Sequence, residues 1–91
     1  MTGWKKFKED LDDAPTSEGV YLLSETSSES GIVYVGRADN LYQRLSQHPD
    51  SDNPCLQRKS ISYFAYEITN DSEDREQELI DDYNPPCNHT N

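Results

Sequence analysis

Large aliphatic residues are scarce in this chain. Leucine, isoleucine, valine and phenylalanine number sixteen among 91 residues, about 18%. A fraction below ~20% combined with a high net charge is the composition of a disordered chain. Positive charge is also short: eight Lys and Arg face eighteen Asp and Glu, for a formal charge of -10 and a pI near 4.3. No apolar run approaches the ~18 residues of a membrane span, and none follows the basic residues near Met1, so neither a membrane anchor nor a secretory signal is expected. Two cysteines make no disulfide framework, and Cys55 and Cys87 are expected as thiols in a cytoplasmic protein.

A chain of this length buries only about 60–65% of its unfolded surface, which leaves a marginal core. Repulsion between unbalanced carboxylates weakens it further at low ionic strength. Molar salt shortens the Debye length to ~3 Å and screens that repulsion. The abundance of Asp, Ser and Thr beside only four lysines points to such a halophilic setting more than to a neutralising basic partner.

The order of residues argues for a fold despite the composition. Trp4, Phe7, Lys8 and Leu11 sit at helical spacing, predicting a helix over residues 4–11 that Pro15 closes off. Residues 20–23 and 32–35 read as two strands around a polar, serine-rich loop, and residues 61–68 as a third. Between them, Leu41 and Leu45 mark a helix over 39–48 with Asp39 as its cap. A last helix begins after Asn70 or Asp71, with Glu73 or Asp74 in capping-box position, and stops before Pro85. The expected architecture is one α+β domain, a small, mostly antiparallel three-stranded sheet flanked by helices, over residues 1–91.

Some residues fit this scheme poorly. Glu76, Leu79, Ile80 and Tyr83 share one face of the last helix, and that face must be the buried one. By position alone Glu76 reads as an edge carboxylate reaching solvent beside the helix N-terminus. Arg37, Arg44 and His48 group near Tyr34, a set suited to phosphate although single arginines usually just solvate a face. Tyr21 and Tyr34 each stand two residues from a glycine, at the start of one strand and the end of the next. Paired as a hairpin, those strands bring the two phenols together. His48, Cys55, Cys87 and His89 lack the close pair of a zinc site, so zinc is not expected.

Gly19-Val20-Tyr21 followed by Tyr34-Val35-Gly36 resembles the two halves of the GIY-YIG nuclease signature. Arg37, Ala38, Asp39, Asn40, Leu41, Arg44, Leu45, Gln47 and His48 continue the likeness, as do Glu76, Ile80, Tyr83, Pro85 and Asn88, so the motif core spans 18–88. The resemblance implies a metal-dependent endonuclease acting on DNA, and the start at Met1 with a modest tail after Asn88 leads to the expectation of a free-standing member. Glu76 would hold Mg²⁺ or Mn²⁺. Tyr34, helped by Tyr21, would take a proton from the attacking water, its pKa lowered by Arg37, Arg44 and the metal. Arg44 would stabilise charge on the phosphoryl oxygens, with Arg37 and Asn88 also binding substrate. His48 would orient water or relay a proton, and Asn88 would bond the phosphate or fix the site from the chain's end.

The acidity departs from a usual DNA-cutting surface, since phosphate neutralisation supplies most nonspecific affinity. No attached module selects a target, so branched, nicked or damaged duplex are all admissible, with specificity supplied by a protein partner. Two rivals stand beside this reading: an RNA-directed nuclease, and a catalytically silent module that docks a basic partner or mimics DNA.

Overall fold

The alternating stretches become an antiparallel sheet. The computed structural model describes residues 1–47 and 53–88. Its strands are β1 (Lys5–Lys6), β2 (Gly19–Ser24), β3 (Ile32–Ala38) and β4 (Tyr63–Ile68), and its α-helices α1 (Leu41–Ser46), α2 (Pro54–Gln57) and α3 (Ser72–Tyr83). The sheet order is β1-β4-β2-β3, antiparallel throughout. Every residue of β2 is buried, which explains why this central strand reads as an apolar run rather than an alternation.

The two faces of the sheet carry separate cores. Tyr21, Leu23 and Phe64 point to one face and pack with Phe7, Ala14, Leu41, Leu45 and Leu56. Val20, Leu22, Val35 and Ala65 point to the other and meet Leu79 of α3. Leu79 is 3% exposed, and full burial of such a side chain is worth about 1.5–3 kcal/mol. Glu67 of β4 accepts two hydrogen bonds from Arg75 of α3, at 2.9 and 3.3 Å, which help seat the helix.

The expected helix over residues 4–11 does not form. Lys5–Lys6 instead pairs with the outer edge of β4 and adds a fourth strand. The amide of Phe7 donates to the Ser62 carbonyl at 2.9 Å, and that of Thr2 donates to the Tyr66 carbonyl at 2.9 Å. These bonds satisfy an edge that would otherwise be open. The side chains follow: Trp4 packs against the α3 core, Phe7 and Leu11 against the other. A helix would have held all three on one side. Only a single 3-10 turn, Leu11–Asp13, remains of the expected helical content there.

Smaller boundary shifts have local causes. Asn40, not Asp39, caps α1, its side chain accepting from the Gln43 amide at 3.0 Å. α3 ends because Asn84 adopts the left-handed conformation, φ 47°, and its amide donates to the Ile80 carbonyl at 2.8 Å. The cysteines, expected as thiols, are joined: Cys55 of α2 and Cys87 of the 3-10 turn Pro86–Asn88 form a disulfide with Cα atoms 5.4 Å apart. Their separation of 32 residues gives the crosslink a stabilisation of roughly 4 kcal/mol by loss of unfolded-chain entropy.

Acidic groups are placed where they cost stability. Asp81 and Asp82 are exposed in the last turn of α3, which has no basic residue, so they oppose the helix dipole. The melting temperature is therefore expected to rise by several degrees between dilute buffer and molar KCl as this repulsion is screened. Circular dichroism melts across a KCl series measure it, and a flat or falling trend contradicts the screening account.

Candidate active site

The close approach of two strands builds the first part of the site. Tyr21 faces Gly36 across the β2–β3 ladder, and Leu23 faces Tyr34, so both phenols lie on one side of the sheet. Their ring centroids are 6.2 Å apart with planes inclined at 41°. A β-carbon on Gly36 would lie 2.5 Å from the Tyr21 hydroxyl oxygen and overlap the ring. One on Gly19 would run into the Glu67 carbonyl and come within 2.9 Å of Leu41. No glycine here has a positive φ; these two are needed for space, not for a turn.

Arg44 enters from α1. Leu41 and Leu45 anchor that helix in the core, and the amides of Leu41 and Tyr42 donate to the carbonyls of Ser17 and Pro15 at 3.0 and 2.8 Å. The Arg44 guanidinium lies close enough to the Tyr21 phenol to favour its ionised form. Burial and the neighbouring Tyr34 nevertheless push the Tyr21 phenol up to about 12, against the pull of Arg44. Tyr34 is raised as well, first by burial and then by the Glu76 charge. The arginines by themselves therefore do not bring either phenol below its ordinary range. Arg44 acts in the expected direction and is outweighed.

Glu76 comes from the opposite face. α3 lies against β3, the edge strand, and the Glu76 charge reaches both tyrosines. Glu76 is half-buried and makes no hydrogen bond or ion pair among the described residues. Burial raises its pKa, Arg37 opposes the rise and Glu73 adds to it. Arg37 differs from its expected place beside the phenols. Strand alternation sends it with Val35 toward α3, where its Nη2 lies 3.2 Å from the Glu73 carboxylate. Shallow depressions of about 360 and 230 Å³ flank the end of β3. Arg37 and Glu73 line the first, Asn40 and Arg44 the second, and Asp39 both.

Asn88 fixes the strand between these groups. Its Oδ1 accepts from the Val35 amide at 2.8 Å and its Nδ2 donates to the Val35 carbonyl at 2.8 Å. Of the two roles open to it, the geometry provides that of fixing the site: one side chain substitutes for a neighbouring strand along the free edge of β3. His48 lies outside the described residues. Sequence reasoning missed the steric demand of Tyr21 on Gly36 and the hydrogen bond, 2.6 Å, from the Ser72 hydroxyl to Glu18. The glycine–tyrosine pairing was open to inference from hairpin register, whereas nothing in the residue order signals the Ser72–Glu18 contact.

Residues 17–91 match the model of the GIY-YIG catalytic domain. The chain belongs to the GIY-YIG family. This GIY-YIG domain is 30% identical over 87 residues to the UvrABC system protein C of Mycoplasma genitalium, covering 89% of the chain and 14% of that protein. It is 33% identical over 94 aligned positions to the Rickettsia prowazekii counterpart, covering 97% of the chain and 15% of the relative. The chain therefore spans about one-seventh of the length of these proteins. The GIY-YIG N-terminal endonuclease domain of UvrC from Thermotoga maritima, bound to its catalytic divalent cation, magnesium, superposes with a TM-score of 0.73. That match is 20% identical and covers 89% of this chain and 93% of the other. The four-stranded antiparallel sheet with its helices is thus the GIY-YIG fold.

The residues of this GIY-YIG site suit a single hard cation. No group of three or more His, Cys, Asp or Glu able to hold a metal occurs among the described residues. Glu76, desolvated and without a donor, is a carboxylate that a cation would satisfy. Mg²⁺ commonly binds through one or two carboxylates and keeps several waters. Among the described residues no helix is long and apolar enough to cross a membrane.

Proposed function

We propose that the chain, as one domain over residues 1–91, hydrolyses phosphodiester bonds in DNA with one Mg²⁺ or Mn²⁺ held by Glu76. The observation that carries this reading is the half-buried Glu76 carboxylate, without a hydrogen bond or ion pair among the described residues, whose charge acts on the same two phenols as Arg44. The cation, when bound, supplies Lewis-acid polarisation of the phosphate and stabilises the leaving oxygen.

The protein's own groups divide the remaining work. Tyr34 is only partly buried and can meet water, whereas Tyr21 is 1% exposed. Tyr34 is the group that takes the proton of the attacking water, and neutralising Glu76 removes one of the two influences that keep its own proton in place. Arg44 offers a planar fork of donors to the phosphoryl oxygens as their charge grows. Arg37, at the surface beside Glu73, binds a flanking phosphate on the Glu76 side. Asn88 holds β3 so that Tyr34 and Gly36 keep their positions. Branched, nicked or damaged duplex is the substrate class, with a protein partner setting the target.

The test is strand cleavage of plasmid and branched DNA with Mg²⁺ or Mn²⁺, from low salt to molar KCl, with folding verified by circular dichroism. Native chain should cut, chelation of the metal should stop it, and Arg44→Ala should lower kcat by about 10²-fold or more. The net charge of -10 favours a second reading, a silent module that docks a basic partner. A folded chain inert on every DNA would overturn the first reading, and inertness on RNA as well would select the second.

A further inference from the structure

Cys55 and Cys87 are not among the groups assigned to the reaction, yet a short series of contacts leads from them to it. Cys87 is fully buried and Asn88 follows it directly. The clamp of Asn88 on Val35 sits between Tyr34 and Gly36. The turn carrying Asn88 is only three residues long, Pro86–Asn88, and its own closing hydrogen bond, from the Asn88 amide to the Pro85 carbonyl, is a long 3.3 Å. What holds it lies on α2. The disulfide joins it to Cys55. The Asn53 side chain caps α2, accepting from the amides of Cys55 and Leu56 at 2.9 and 3.2 Å, and reaches across to the Cys87 carbonyl at 3.5 Å.

We propose that Cys55 and Cys87 are positioning residues for the site. Their disulfide keeps Asn88 seated on Val35, and thiol reduction slackens the catalytic edge of β3 and slows cleavage. The effect on cleavage rests on the nuclease reading above; the effect on Val35 does not. The redox step balances simply. A thiolate of a small-molecule dithiol attacks the sulfur of Cys55, the less buried of the two, and expels the Cys87 thiolate, which is then protonated. The second thiol of the reagent resolves the mixed disulfide. Two electrons and two protons pass to the protein, giving two cysteine thiols, and the reagent leaves as its own disulfide. Without the covalent tie, the two hydrogen bonds of Asn88 must be closed from a less constrained turn, and their closed fraction falls.

The experiment compares oxidised chain, dithiol-reduced chain and Cys55→Ser/Cys87→Ser in molar KCl. Thiol titration of the unfolded oxidised chain should find no free thiol; two would overturn the proposal. Amide hydrogen exchange read by NMR should then show the Val35 amide exchanging at least tenfold faster on reduction and in the double variant. The Leu22 and Leu23 amides of the central strand, which report the loss of global stability, should accelerate by a smaller factor than Val35. Asn88→Ala in the oxidised state should reproduce the Val35 effect. Unchanged Val35 exchange, or equal acceleration at all three positions, overturns the proposal, the latter because the crosslink would then serve the fold as a whole. In the native chain kcat should fall several-fold on reduction with KM little changed, and reoxidation should restore it. Equal kcat in both redox states overturns the coupling. Absence of cleavage in both states defeats the nuclease reading instead, and the Val35 exchange still decides whether the crosslink holds the edge.

Discussion

Glu76→Gln is expected to reduce metal-dependent cleavage by about 10³-fold or more while making the folded chain more stable at pH 7. Both effects follow from one carboxylate. Burial raises the Glu76 pKa above its ordinary value in the folded chain, and the nearby Glu73 raises it further. A carboxyl whose folded pKa lies above its unfolded pKa favours folding while protonated. That contribution is complete below the unfolded value and is lost as pH climbs through the folded one. At neutral pH the native chain therefore bears the cost of an ionised, partly desolvated group, and glutamine of the same shape does not. Thermal melts of both proteins from pH 4 to pH 8 should nearly coincide at the acid end and separate as pH rises, the variant melting higher. A variant less stable than native chain at pH 7 would mean that Arg37 fully compensates the charge. It would also remove the case for Glu76 as an unsatisfied ligand.

Gly36→Ala should cost both stability and activity. The added methyl meets the Tyr21 ring and its hydroxyl oxygen, a buried side chain in the core with little freedom to withdraw. Overpacking of this kind costs about 1–3 kcal/mol, and each kcal/mol lowers the melting temperature by roughly 4–8 °C in a domain of this size. Any relief requires the phenol to move away from its place beside Tyr34 and Arg44. Cleavage should fall by about 10²-fold, mainly in kcat. Gly3→Ala is the control, since nothing lies within 4 Å of a β-carbon there. Circular dichroism melts and plasmid cleavage on the two variants separate the outcomes. A Gly36→Ala chain that melts and cuts like native would show that Tyr21 does not need its observed position.

The hairpin and the last helix were legible because local preference and tertiary environment agree there. Gly19-Val20-Tyr21-Leu22-Leu23 is rich in strand formers and is covered on both faces, and Leu79, Ile80 and Tyr83 share the one face that α3 buries against the sheet. Residues 4–11 misled because their spacing satisfies the helical period while the open edge of β4 offers better hydrogen bonding. A long-range demand of that kind leaves no mark on a short window. Arg37 was grouped with the phenols by nearness in sequence, although period-two alternation places Tyr34 and Gly36 on one face and Val35 and Arg37 on the other. The pairing of Cys55 with Cys87 could not be read, since nothing in their spacing brings them together. Nor could the upward displacement of both tyrosines, because desolvation is set by three-dimensional burial and exceeds the arginine effect that proximity suggests.

The site draws each of its groups from a different part of the chain: Tyr21 from β2, Tyr34 from β3, Arg44 from α1, Glu76 from α3, and Asn88 from the closing turn. No two consecutive elements hold all of these groups, so cleavage, where it is found, is expected to report cooperative folding of the domain. Salt, by shifting the folding equilibrium, is then expected to scale the number of working molecules.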